Sequence, residues 1–187
     1  MKNKLQTFLY ITLLISMISC VKSEQKEDKD LKTKKELTAA DILGNPDFLA
    51  ISYGGYREKS REAQPTIPQL KEDLKLMHAM GIRILRTYNV QPKLPHAANI
   101  LEAISQLKKE DASFEMYVML GAWIDCLNAW TDKAPDHDVE SLQNEGEIAR
   151  AVALANKYPD IVKVIAVGNE AMVKWATSYF VQPTVVL

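Results

Sequence analysis

Apolar residues recur along most of the chain in a rhythm that alternates short runs with helical spacing. Phe48-Leu49-Ala50-Ile51-Ser52-Tyr53 is a short apolar run followed by Gly54-Gly55, which predicts a strand with a turn behind it. Thr66 stands where a helix N-cap is expected, Pro68 falls in the first turn, and Ile67, Leu70, Leu74 and Met77 repeat at helical spacing until Gly81. A second strand is expected from Ile82 to Tyr88. A second helix follows from about His96 to Lys109, with Ile100, Ile104 and Leu107 on one face. The third strand is expected from Phe114 to Leu120, ended by Gly121, and the third helix from about Val139 to Lys157, with Ile148, Val152 and Ala155 inward. Ile161 to Val167 predicts a fourth strand, closed by Gly168-Asn169-Glu170; Ala171 to Phe180 reads as helical, and Val181 to Leu187 as an apolar, strand-like run.

Strands joined through helices in this rhythm pair in parallel, with both sheet faces expected to be covered. No Gly-x-Gly-x-x-Gly follows the first strand, which removes the usual fingerprint of a dinucleotide site. A barrel of eight strand–helix units takes about 250 residues. The expected fold class is therefore α/β, a (β/α)8 TIM barrel truncated to about its first four units.

The first 42 residues break the pattern. Met1 to Lys4 is a basic start, Leu5 to Ile18 is an apolar stretch containing Gln6, Thr7, Thr12 and Ser16, and Ser19-Cys20 follows. Such a start, run and small residue mark a secretory signal peptide, over residues 1–20. A membrane span would need about 20 apolar residues, more than this run supplies. Met17-Ile18-Ser19-Cys20 resembles a bacterial lipobox, which implies that Cys20 is acylated and becomes the mature N-terminus. Val21 behind it resembles the arrangement of lipoproteins sorted to the outer membrane of Gram-negative bacteria. Residues 21–42 are read as a polar tether, because a segment so rich in Lys, Glu, Asp, Gln and Ser cannot bury enough apolar surface to offset the entropy of ordering. The folded domain is then residues 43–187.

Composition changes this picture little. The 187 residues carry a formal net charge of -1, with 25% charged and 47% hydrophobic residues, enough to build a core. Basic and acidic residues are matched, so nucleic acid is not an expected partner. Besides Cys20 the only cysteine is Cys126, beside an apolar strand end, and it is read as a small buried hydrophobe. With Cys20 acylated, no intramolecular disulfide is expected. His78, His96 and His137 are scattered without metal-ligand spacing, so neither a metal nor a cofactor is expected.

In parallel barrels the active site gathers at the carboxyl ends of the strands. That rule nominates Tyr53 after the first strand, Arg86, Tyr88 and Asn89 after the second, Trp123 and Asp125 after the third, and Asn169 and Glu170 after the fourth. Aromatic faces, amides and carboxylates together are what a sugar site uses. Each has a structural alternative: Arg86 could pair with Glu170, and Trp123 could cap the core.

Val167-Gly168-Asn169-Glu170 resembles the strand-four signature of glycoside hydrolase family 17, the β-1,3-glucanases and related enzymes. Ala50-Ile51-Ser52-Tyr53-Gly54 is similar to that family's first strand and Arg83-Ile84-Leu85-Arg86-Thr87-Tyr88 to its second, over about residues 48–182. The resemblance implies a retaining mechanism with two glutamates. Glu170 would protonate the departing glycosidic oxygen and then act as base toward water, a role that needs its pKa raised toward working pH. Asn169 would hydrogen-bond the sugar 2-hydroxyl, a contact that strengthens in the transition state. Tyr53, Tyr88 and Trp123 are candidates for stacking on or hydrogen-bonding the sugar rings, and Arg86 for substrate binding beside them.

The family's nucleophile is a glutamate at the end of strand seven, and Asp125, Asp132 and Asp136 do not match it. The resemblance therefore implies a lipid-anchored β-glucan hydrolase or transglycosylase whose nucleophile this chain lacks. A surface glycan-binding lipoprotein and a nonfunctional fragment are the alternatives. The expected partners are a β-glucan polysaccharide and, through the lipid anchor, a membrane.

Overall fold

The structure is a computed structural model that describes residues 36–187. The expected signal peptide, its Cys20 and the first part of the tether lie outside the described residues. In chain order the elements are α1 (Ala39–Ile42), β1 (Leu49–Ser52), α2 (Ile67–Ala79), β2 (Ile82–Arg86), α3 (His96–Glu110), β3 (Tyr117–Ala122), β4 (Cys126–Leu127), β5 (Asp136–Glu140), α4 (Asn144–Lys157), β6 (Val162–Val167) and α5 (Pro183–Val186). β1, β2, β3 and β6 form a four-stranded sheet in that order, and every neighbouring pair is parallel. These are the four expected strands, joined through α2, α3 and α4.

Local chemistry sets the elements where the sequence places them. The Thr66 hydroxyl accepts from the Gln69 amide at 3.4 Å while the Gln69 side chain accepts from the Thr66 amide at 2.9 Å, a reciprocal cap at the start of α2. Gly81, at φ +88°, ends the same unit in a conformation that a Cβ would oppose. Successive strand residues face opposite sides of the sheet. Leu85, Val118 and Leu120 join Leu70, Leu74, Ile100, Ile104, Leu107 and Ala151 in the main core, whereas Ile84 and Tyr117 join Ile42 in a small cluster with Leu37 and Phe48.

The joining helices α2, α3 and α4 therefore share one face of the sheet, which corrects the expectation that such helices would cover both faces. Right-handed crossovers between strands laid down in sequence order put each helix on the same side. The other face carries α1 at one end and a cavity of about 340 Å³ lined in part by Ala50, Ser52, Ile84, Arg86 and Met119. The packed chain also begins earlier than residue 43: Thr38 caps α1 and Ile42 is buried.

Three further expectations are corrected. The third helix begins at Asn144 rather than Val139, because Asp136–Glu140 pairs antiparallel with Cys126–Leu127 as a two-stranded hairpin. Val139 and Val152 are both exposed. Residues 171–180 run as successive turns instead of a helix: Gly168 and Glu170 have φ of +79° and +53°, and the Val181 amide returns to the Ala171 carbonyl at 2.6 Å. The strand-like run at the end forms the single turn of α5, with Pro183 at its start. Among the described residues no helix is long and apolar enough to cross a membrane.

Candidate functional site

Because the sheet is parallel, the residues after β1, β2, β3 and β6 all emerge at its carboxyl edge. The chain leaving β2 is drawn over β3. The Thr87 amide donates to the Met119 carbonyl at 3.1 Å, and the Thr87 hydroxyl accepts from the Gly121 amide at 3.1 Å. A Cβ on Gly121 would lie 2.5 Å from the Thr87 carbonyl oxygen and 2.7 Å from the Tyr88 Cα, so only glycine fits under this crossing. The arrangement brings Arg86 across to the far strand, where its Nη2 donates to Asn169 Oδ1 at 2.9 Å. Arg86 also lies 5.7 Å from the centre of the Tyr88 ring.

Glu170 follows Asn169 in the left-handed region, a conformation that costs a non-glycine residue about 1–3 kcal/mol and that surrounding contacts must hold. Its carboxylate is exposed, and Tyr179 Oη donates to Glu170 Oε2 at 3.3 Å. Arg86 thus pairs with Asn169 and not with Glu170, which corrects the structural alternative drawn from sequence. Burial first, and then the Glu170 carboxylate, push the Tyr179 phenol above its ordinary range, so it remains a donor at any working pH.

Tyr179 sits in an aromatic cluster. The Trp123 ring lies 5.3 Å from it at 46°, and the Trp130 ring stacks on it at 4.8 Å and 21°. Both indoles donate to a single acceptor, Asp125 Oδ1, Trp123 at 2.6 Å and Trp130 at 3.2 Å. Burial raises the Asp125 carboxyl above the usual carboxylate range, the two indole donors pull it down, and the Glu147 charge pushes it up. Asn144 clamps the Asp125 backbone: its Oδ1 accepts from the amide at 3.0 Å and its Nδ2 donates to the carbonyl at 2.9 Å.

Glu147 supports the same edge from α4. It is 3% exposed, and its Oε1 accepts from the Val90 amide at 2.6 Å and the Trp123 amide at 3.1 Å, while Oε2 pairs with Arg150 at 2.9 Å. A cavity of about 350 Å³ opens beside Trp123 and Asp125, with Asn144, Glu147 and Arg150 in its wall.

Of the residues nominated from sequence, the structure joins Arg86 to Tyr88 and Asn169, and it links Trp123 and Asp125 through Tyr179 to Glu170. Tyr53 stands apart: its hydroxyl donates to Asp73 of α2 at 2.7 Å, and its ring packs against the helix-side core. Asn89 turns back to accept from the Gln91 amide at 3.4 Å. Sequence reasoning missed Trp130, Tyr179, Asn144 and Glu147. A signal existed only for the tryptophan, a large aromatic in the polar stretch between two predicted elements. Cys126 is buried and free, as its sequence setting indicated. Among the described residues no group of His, Cys, Asp and Glu is arranged to hold a metal ion.

No protein-family model matches the chain, and no curated protein does. Among solved structures, the chain is similar to an endo-laminarinase from Formosa Hel1_33_131, with 69% identity and a TM-score of 0.78. The similarity covers 80% of this chain, which spans 38% of that protein's length.

Proposed function

We propose that the chain is the first half of a retaining glycoside hydrolase of the family 17 type, a TIM barrel that cleaves β-1,3-linked glucan. The carrying observation is the Asn169-Glu170 pair at the carboxyl end of the fourth parallel strand, in a chain 69% identical to an endo-laminarinase over 80% of its length. Strands in sequence order with their helices on one face are the start of a closed barrel, because a doubly wound sheet reverses order and places helices on both faces.

Glu170 protonates the departing oxygen and then takes a proton from water. Tyr179 holds its carboxylate by the 3.3 Å hydrogen bond, and Arg86 orients Asn169 at 2.9 Å, leaving the Asn169 amide nitrogen to meet a sugar 2-hydroxyl. The second carboxylate, about 5–5.5 Å from the first in a retaining enzyme, is a glutamate from a later strand of the barrel. The reading frame beyond the Leu187 codon tests this: strands five to eight with such a glutamate support it, and degraded sequence overturns it.

In the longer protein, Glu170→Gln keeps the shape and removes the proton donor, a role worth about 10²–10⁴-fold in rate. The loss is expected to be large on laminarin and small on aryl glycosides, whose leaving group needs no proton. Equal losses on both substrates would exclude Glu170 as the acid.

We also propose that Cys20 carries lipid and anchors the enzyme in the outer membrane. Stable anchoring takes more than one acyl chain, which a bacterial lipoprotein has. Cys20→Ala is expected to move the protein from the detergent phase to the aqueous phase, and unchanged partitioning would refute the anchor.

A further inference from the structure

The β4–β5 hairpin has no part in the chemistry above, yet its Trp130 is held from several sides. The residue is 62% exposed, an unusual position for a large apolar ring. Its indole nitrogen is committed to Asp125 at 3.2 Å and one ring face to Tyr179 at 4.8 Å. Trp130 and Asn128 both occupy the left-handed region, at φ +61° and +64°, so the turn is strained toward this one placement. Asn128 stabilises it by donating to the Ala134 carbonyl at 3.1 Å. The far strand of the hairpin is fastened as well: the His137 ring stacks on Phe180 at 3.6 Å, and the Gln182 amide donates to the His137 carbonyl at 2.9 Å.

Strain, a committed donor and one stacked face leave a single free surface, the outer face of the indole. That face is flat, apolar and electron-rich. It complements the C–H face of a β-linked glucopyranose, whose hydrogens carry partial positive charge. Asp125 makes this possible by its position: 8% exposed, with its backbone clamped by Asn144, it offers one oxygen to two indoles and fixes their planes around Tyr179. Tyr179 touches Trp130 on its ring and Glu170 through its hydroxyl, so one residue separates the indole from Glu170 and its free face lies on the side away from Tyr179.

We propose that the β4–β5 hairpin contributes a glucosyl-binding subsite, with Trp130 as its stacking residue and Asp125 as the positioning residue that sets the indole plane. The ligand class rests on the glucan reading above. Asp125 touches no sugar; it acts through Trp123 and Trp130.

The test uses the full 187-residue chain, with laminarihexaose and cellohexaose as probes in calorimetric titrations. Trp130→Ala is expected to weaken binding about tenfold, about 1.4 kcal/mol, and Trp130→Phe to restore most of it, because the flat ring face makes the contact. Trp130→Leu, apolar but not aromatic, is expected to bind as poorly as Ala; equal affinity of the Phe and Leu variants overturns the stacking role even if Ala destabilises the fold. Asp125→Leu is expected to weaken binding similarly while changing the near-ultraviolet circular dichroism of the indoles and sparing the far-ultraviolet spectrum. An unchanged near-ultraviolet spectrum overturns the positioning role. Binding of laminarihexaose that Trp130→Ala leaves intact overturns the subsite and leaves the glucan reading standing. Binding of cellohexaose alone, with the same order among variants, supports the subsite and overturns the β-1,3 reading. Binding of neither sugar overturns the subsite.

Discussion

Glu147 and Asn144 show how much of the site is held by residues that touch no substrate. Each lies buried in the first turn of α4 and satisfies backbone groups of the segment after β3. Glu147→Ala would strand the Val90 and Trp123 amides, and an unsatisfied buried group costs about 1–3 kcal/mol. A drop of about 2–5 kcal/mol in unfolding free energy is expected by urea titration, with loss of the Trp123 environment in near-ultraviolet circular dichroism. Gly121→Ala is expected to destabilise by at least about 1–3 kcal/mol, because the neighbouring atoms are backbone and cannot yield without moving the β2 crossing. His96 adds a pH dependence. It is 1% exposed, with Nδ1 within 2.9 Å of Tyr56 Oη; burial lowers its pKa, the Leu94 backbone contact opposes this in part, and the Arg61 charge lowers it and the Glu147 charge raises it by less. The unfolded chain then takes up a proton near pH 6.5 while the folded chain resists, so stability falls as pH drops through about 6.5. The urea midpoint should be lower at pH 5.5 than at 7.5, and the difference should shrink in His96→Phe. His78, lowered in the same direction, leaves a residual slope.

At the scale of elements, what was legible depended on how local the determining contacts are. The start of α2 was readable because Thr66 and Pro68 act within one turn, and the structure adds Gln69 as the reciprocal partner. Thr66→Ala should cost about 0.5–2 kcal/mol, measurable as a lower melting temperature. The β4–β5 hairpin was not readable: its ladder pairs Cys126 with Glu140 and Leu127 with Asp136, and those charged strand residues imitate the start of an exposed helix. The segment after Glu170 was misread for the same reason. Ala171 and Tyr179 are buried, but Tyr179 against Trp123 and Trp130 and Ala171 against a returning Val181 rather than along a helix face.

For the molecule as a whole, β1 and β6 each have one neighbour in the sheet, and β1 is exposed along its length despite an apolar sequence. Leu49 and Ile51 are 53% and 42% exposed. Open strand edges with exposed apolar side chains favour pairing with another chain. Light scattering of residues 36–187 is expected to show a dimer or larger assembly, and Ile51→Lys to shift it toward monomer; a wild-type monomer would contradict this. The same sample is expected to release no reducing ends from laminarin, since the proposed second glutamate lies on a later strand. Turnover would mean that another carboxylate serves as nucleophile.

The sequence by itself determined the four parallel strands, the three helices that join them, and part of the carboxyl edge, Arg86, Tyr88, Trp123, Asp125, Asn169 and Glu170. Periodicity, caps and glycines act within one element, and the parallel rule follows from the alternation alone. Only the tertiary structure decided that Asn169 meets Arg86, that Tyr179 rather than Arg86 holds Glu170, and that Asp125 gathers two indoles into one plane-setting contact. Those pairs join residues from different strands and loops, up to 83 positions apart, and their geometry is fixed by where the chain crosses over Gly121 and where the hairpin docks. No pattern along a single element encodes such a meeting.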